Sequence, residues 1–246
     1  ETTASPDGAV TAKITLPAGM TRASVTIPVA RPTPDMVAVA VGADGEERVL
    51  PLSLVTETGV RLMAESGLTV RIEDRGRSFR DAPSSAWYGD SIRFVTAREL
   101  FQGTGTETFA PDLPMDRAML LTVLYRLDGQ KNGTDGAAWY SAAADWAVEA
   151  GISDGSQLNA AVSREQLSAM LYRYAGVQKA TYAASAHSDA GEVSAWASDA
   201  MAWAVETGIL SGKPDGRLAP QDSASRAEVA AMLMRFVRVM VESQTR

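Results

Sequence analysis

A chain of 246 residues that is 46% apolar and 22% charged carries enough apolar material for one or two packed cores, which excludes a fibre or a disordered tail. A formal charge of -7 with no cluster of Lys and Arg excludes a surface built to neutralise nucleic-acid phosphates. The absence of cysteine excludes disulfides and thiolate chemistry, and no run of about 18 apolar residues is present to span a membrane. Residues Glu1 to Gly8 are polar and do not read as a signal peptide.

In chain order, the first elements are strands. Alternating or β-branched stretches at Ala9 to Leu16, Ala23 to Val29, Met36 to Val41, Arg48 to Leu52, Val60 to Met63 and Leu68 to Glu73 are punctuated by Pro17-Ala18-Gly19, Pro32-Thr33-Pro34 and Ala43-Asp44-Gly45. Short strands at such intervals predict a small antiparallel, sandwich-like module over residues 1–76. Asp44-Gly45 reads as a hairpin turn, because glycine tolerates the positive φ that tight hairpins require.

From Ser78 the period becomes helical, and one block recurs three times. Trp87, Trp139 and Trp196 each precede a loop glycine, Gly103, Gly155 and Gly212, by 16 residues. The Trp opens a helix whose second aromatic, Phe94, Trp146 or Trp203, follows seven residues later on the same face and is expected in the core. Gly151 and Gly208 suit left-handed helix stops; Glu99 stands at the matching place in the first copy, so that helix is expected to end differently. Beyond each loop glycine an arginine opens a second helix: Arg117 after Asp116, Arg164 after Ser163 and Arg226 after Ser225. Ser163 with Gln166 and Ser225 with Glu228 form capping boxes, while Asp116 caps without a matching partner at Met119.

An arginine at the positive end of a helix dipole is disfavoured by roughly 0.3 to 1 kcal/mol, so three occurrences imply an offsetting role. Two roles stand open. The guanidinium pairs with a structural carboxylate such as Asp81 or Asp189, or it joins free helix-start amides in holding an anion. An indole at the start of the first helix either covers a sugar ring or plugs the junction between copies. The loop glycines meet either a backbone constraint or a close ligand.

The run Phe79-x-Asp81, Trp87-Tyr88, Phe109-Ala110-Pro111-Asp112 and Asp116-Arg117-Ala118 resembles an S-layer homology (SLH) repeat. Ser188-Asp189, Trp196, Gly212, Leu218-Ala219-Pro220 and Ser225-Arg226-Ala227-Glu228 are similar throughout. The resemblance implies an all-α, pseudo-threefold spindle after the β module, an α+β chain as a whole. The implied boundaries are 77–130, 131–180 and 181–246. It further implies a non-catalytic, cofactor-free anchor on the bacterial cell surface. Grooves between copies would bind an anionic secondary cell-wall polymer, often through a pyruvylated amino sugar. The residues carried over are Arg226, Asp189, Gly212 and Trp196, then Arg117, Asp81, Gly103 and Trp87, then Arg164 and Trp139. Arg226 is expected at an exposed helix end and the third copy is expected to be the strongest site. Further extracellular domains upstream are expected in the full-length protein.

The second copy departs from the pattern. It lacks an aromatic-x-Asp start, having Asn132 to Gly136 instead, and its loop from glycine to arginine is 9 residues against 14 in the others, so its groove is expected to be degenerate. The competing readings are self-association with vestigial glycan sites, and a carbohydrate-active enzyme using Asp81 with Asp90, or Asp189 with Glu192 and Asp199. The loop acids Glu107, Asp112, Asp154, Asp215 and Asp222 lack the spacing of a calcium loop and read as solvated. His187 reads as linker.

Overall fold

A computed structural model describes residues 2–4, 10–130, 138–177 and 187–243. They form two antiparallel sheets and six α-helices, a mixed α+β chain, in two compact units. One unit runs to Phe109 and takes in the chain from Val237 onward; the other is Ala110–Phe236.

The first unit carries strands β1 (Thr2–Ala4), β2 (Val10–Lys13), β3 (Arg22–Pro28), β4 (Met36–Val41), β5 (Glu47–Leu50), β6 (Ser53–Thr56), β7 (Gly59–Glu65) and β8 (Thr69–Asp74). The sheet orders are β1-β2-β8-β4-β5 and β3-β7-β6, every pairing antiparallel. Five of the six expected strands overlap an observed one within a residue or two, and Ala9 of the sixth lies outside the described residues. Strands β1 and β6 were not anticipated: Ser53–Thr56 follows Pro51 too closely to stand out from the preceding stretch. Ala12, Ala38, Val70 and Ile72 of the larger sheet share one apolar cluster with Ile27, Val60, Leu62 and Ala64 of the smaller. Alternate side chains of a strand face opposite sides, and Val37 and Val39 are as buried as Ala38, so β4 is covered on both faces. The β4–β5 hairpin turns through Ala43-Asp44-Gly45; Gly45 sits at φ +84°, and its amide donates to the Gly42 carbonyl at 3.0 Å.

Helix α1 (Gly89–Ala97) belongs to the same unit as the strands, and two arginines fasten it there. Arg93 Nε donates to Asp35 Oδ2 at 3.0 Å. Arg98, 1% exposed, lies over the Phe94 ring at 3.5 Å and donates to the carbonyls of Ser53 and Phe94. Burial without a contacting carboxylate pushes the Arg98 guanidinium down to about 9, with only the more distant Asp35 opposing.

The second unit is built from α2 (Arg117–Leu127), α3 (Ser141–Glu149), α4 (Arg164–Tyr174), α5 (Ser198–Glu206) and the first part of α6 (Arg226–Ser243), with α2 against α3 and α4 against α5. At its centre three backbone amides donate in a circle. Met115 N–H reaches the Ala224 carbonyl at 3.0 Å, Ala224 N–H reaches Val162 at 2.9 Å, and Val162 N–H reaches Met115 at 2.8 Å. All three residues are 0% exposed and immediately precede the capping residues Asp116, Ser163 and Ser225. The three helix starts are therefore locked to one another through main chain. Arg173 Nη1 and Arg235 Nη1 donate to the carbonyls of Ile152 and Ile209 just beyond α3 and α5.

Of the second aromatics, Phe94 and Trp203 are buried as expected, whereas Trp146 is only half-buried against Tyr125 and Tyr174. Gly151 and Gly208 end their helices at φ +69° and +73°. Glu99 ends α1 in the same left-handed conformation, φ +57°, contrary to the expectation of a different stop. Its side chain ion-pairs with Arg75 at 2.7 Å on the surface, an interaction of small worth. Glu99→Gly is expected to stabilise the chain by about 0.5 to 1 kcal/mol through relief of left-handed strain, read as a shift in the urea midpoint at unchanged slope.

Candidate functional site

Each helix start lies against the loop of another copy, and its amides are spent there. Arg117 N–H and Ala118 N–H donate to the carbonyls of Ala160 and Leu158; Arg164 and Glu165 donate to Asp222 and Pro220; Arg226 and Ala227 donate to Leu113 and Pro111, all at 2.9 or 3.0 Å. The third amide of each helix goes to the cap: Met119 N–H to Asp116 Oδ1 at 2.7 Å, Gln166 N–H to Ser163 Oγ at 3.3 Å and Glu228 N–H to Ser225 Oγ at 3.2 Å. Both capping boxes close, with Ser163 N–H on Gln166 Oε1 and Ser225 N–H on Glu228 Oε2. No amide of these first turns is left for an anion, so the helix-start chemistry expected from the sequence is taken up within the protein.

The loops reach this position through a shared strained residue. Ala110, Gln157 and Ala219, each six residues before a cap, adopt φ of +56°, +52° and +50°. The second copy therefore keeps the turn that crosses the helix start. Its five-residue deficit falls between Gly155 and Gln157, the stretch that in the other copies runs from Gly103 to Ala110 and from Gly212 to Ala219.

The three arginines are 9%, 4% and 7% exposed at 117, 164 and 226, so Arg226 does not sit at an exposed helix end. Ring formation and loop crossing draw the first helical residue inward. Arg164 is fully engaged: Nε donates to the Leu218 carbonyl at 2.8 Å, Nη2 to Ser211 at 2.9 Å and Nη1 to Glu228 Oε1 at 3.0 Å. Burial lowers its pKa, and the carboxylates of Glu228, Asp222 and Asp189 oppose that shift. Arg117 Nη2 donates to Ser153 Oγ at 2.9 Å and Asp154 Oδ1 at 2.7 Å, but its buried Nε has no acceptor. Ser156, which precedes the left-handed Gln157 as Leu218 precedes Ala219, makes no such bond to Arg117.

The expected aspartates clamp loops. Asp189, 5% exposed, accepts from the amides of Leu218 at 2.8 Å and Ala219 at 2.7 Å, and Asp81 accepts from Phe109 at 2.8 Å. Burial pushes the Asp189 carboxyl up, but the two amides outweigh it and hold it below the usual carboxylate range. With both oxygens occupied, Asp189 is poorly disposed to exchange protons with a substrate.

The loop glycines meet steric limits. A Cβ on Gly103 would lie 2.5 Å from the Gly105 carbonyl oxygen and 2.8 Å from the Phe79 ring; Gly155 sits at φ +70°; a Cβ on Gly212 would lie 3.0 Å from His187 Nε2. His187 thus stands two residues before Asp189 as Phe79 stands before Asp81, against the same loop glycine, and is part of the third copy rather than linker. The imidazole hides this equivalence in the sequence, because it stands where the first copy has the phenyl ring of its aromatic-x-Asp start. Glu165 is the other residue that spacing did not reveal. It is 2% exposed, with Oε2 accepting from Ser194 N–H at 3.0 Å and Oε1 from Ser194 Oγ at 2.9 Å, where the other copies have Ala118 and Ala227.

The leading tryptophans remain open: Trp87, Trp139 and Trp196 are 67%, 54% and 56% exposed, and the first two stand edge-on to Tyr88 and Tyr140. Four of the five loop acids are paired rather than merely solvated: Glu107 with Arg80, Asp154 with Arg117, Asp215 with Arg217 and Asp222 with Lys213. Among the described residues no three His, Asp or Glu side chains gather as a metal set, and no helix is long and apolar enough to cross a membrane. The stretch Asn132 to Gly136 lies outside the described residues.

Set beside known proteins, residues 78–118 and 188–230 match the S-layer homology domain. An amylopullulanase of Thermoanaerobacterium thermosulfurigenes is 27% identical over 173 residues, covering 64% of this chain and 9% of that protein. An exoglucanase, XynX, of Acetivibrio thermocellus is 25% identical over 163 residues, covering 60% of this chain and 15% of that protein. The chain thus spans a small part of these relatives.

The Asp189 clamp gives a pH test. A carboxyl whose folded pKa is depressed contributes stability above its unfolded pKa of about 3.9 and loses it as pH falls through the folded value. Asp189→Asn is expected to be less stable than the wild type at pH 7, with the gap closing below about pH 4, as followed by urea unfolding at stepped pH.

Proposed function

We propose that this chain is a non-catalytic module that attaches a bacterial surface protein to an anionic secondary cell-wall polymer, with a pyruvylated amino sugar as the recognised group. The S-layer homology match covers the first and third copies. We read residues 131–180 as a third, divergent repeat of the same family, supported by the 16-residue Trp-to-Gly spacing, the left-handed Gln157 and the participation of Val162 in the central ring. On this reading the three copies form a pseudo-threefold helical spindle on the outer side of the cell.

The observation that carries the proposal is the exposure of all three leading tryptophans. An indole more than half exposed at three equivalent positions stabilises little in the fold, and its flat apolar face suits the C–H face of a sugar ring. The helix-start arginines are the candidates for a cationic contact, Arg226 and Arg117 ahead of Arg164, whose Nε and Nη2 are already on carbonyls. Asp81, Asp189 and the loop glycines fix the loops that wall the grooves. Both relatives are named for polysaccharide-cleaving enzymes and share only a small fraction of their length with this chain, which suits an accessory, non-catalytic role for the shared region.

A pull-down on wall sacculi tests this. The chain is expected to be retained on polymer-bearing sacculi and released when the polymer is stripped. Replacing Trp87, Trp139 and Trp196 together by Ala should lower retention at least about tenfold, with the unfolding midpoint changed by less than about 1 kcal/mol, as for exposed positions. Equal retention on stripped sacculi would reject the proposal.

A further inference from the structure

The two arginines whose surroundings lie within the second unit are not equivalent, and the difference runs against the expectation that the shortened second copy carries the degenerate groove. The Nε–Nη2 edge of a guanidinium is the edge that grips a carboxylate with two parallel hydrogen bonds. In Arg164 that edge is filled by the carbonyls of Leu218 and Ser211, Nη1 is on Glu228, and Glu165 next to it in sequence is buried against Ser194. An added carboxylate would find that edge already filled and two carboxylates close by.

In Arg117 the same edge is half used. Nη2 holds Ser153 and Asp154, while Nε is buried without an acceptor, an unfavourable condition that an added acceptor relieves. The Arg117 side chain is only 10% exposed, yet that of its anionic partner Asp154 is 69% exposed. Asp154 is also held by the amide and hydroxyl of Ser156 at 3.0 and 2.9 Å, so it stays ordered if it leaves the arginine. A loop carboxylate bound end-on to one nitrogen thus occupies the place where a better-aligned external carboxylate would bind side-on to two.

We infer that, of Arg117 and Arg164, it is Arg117 that receives an external carboxylate, by displacement of Asp154, and that the Arg164–Glu165 seam is a closed structural joint. The carboxylate class is defined by the open edge alone; its source in an acidic wall sugar rests on the anchoring proposal above. Glu165 is the specificity determinant that keeps the second seam closed, where the corresponding residues in the other copies are the alanines 118 and 227.

The test is a titration of the 15N-labelled chain with pyruvate as a small carboxylate probe, against sodium chloride at equal ionic strength, following the arginine Nε–H signals. The Arg117 signal is expected to shift saturably with pyruvate while that of Arg164 stays fixed. Asp154→Asn, an exposed substitution, should lower the half-saturating concentration at least threefold. An Arg117 signal that does not respond, an Arg164 signal that does, or an Asp154→Asn chain with unchanged or weaker pyruvate binding overturns the inference. The same variant on wall sacculi separates the two claims. Pyruvate binding at Arg117 without retention on sacculi defeats the anchoring proposal and leaves this inference standing. Retention of the wild type without an Arg117 response does the reverse.

Discussion

Three buried amides donating in a circle, Met115 to Ala224, Ala224 to Val162 and Val162 to Met115, are the constraint on which the second unit depends. Each sits one residue before a helix cap, so closing the circle sets the position of all three helix starts at once. The loops must then cross those starts, and they do so through a left-handed Ala110, Gln157 or Ala219 that turns the following carbonyls onto the first helical amides. Strain at three non-glycine residues is tolerated because each crossing satisfies two amides that would otherwise lie buried and unpaired.

This arrangement redistributes the chemistry available for recognition. Helix-start amides are the usual cradle for an anion, but here every one in the first turn is occupied by main chain or by a cap. On the anchoring proposal, recognition falls to side chains: the exposed indoles and the buried guanidiniums. Exposed aromatics provide contact area at little conformational cost, and a buried guanidinium discriminates by geometry as well as charge. The cation beside a positive helix end, unfavourable by itself, is compensated at Arg164 by two carbonyls and Glu228, and at Arg117 by Asp154 and Ser153.

Much of this was legible from spacing. The strand pattern ends at Asp74, the capping boxes close as written, each leading Trp stands two residues before a helix and each Arg opens one. What could not be read was what lies opposite each residue. Glu99 looked like an exception to glycine stops because sequence shows preference, not the strain a fold tolerates. His187 was hidden by its chemistry, since an imidazole replaces a phenyl ring against the same glycine. The shortened loop looks like loss, whereas it keeps the left-handed Gln157 and the ring. Arg98, held to Ser53 across 45 residues of sequence, carries no local signal at all.

The central claim is that the ring makes the three helix starts one cooperative structure. Native-state hydrogen exchange at the amides of Met115, Val162 and Ala224 tests it most directly. The account predicts that all three exchange at one common slow rate with the same denaturant dependence as global unfolding of the unit. Exchange of Val162 through a separate local opening, much faster than Met115 and Ala224, would contradict it.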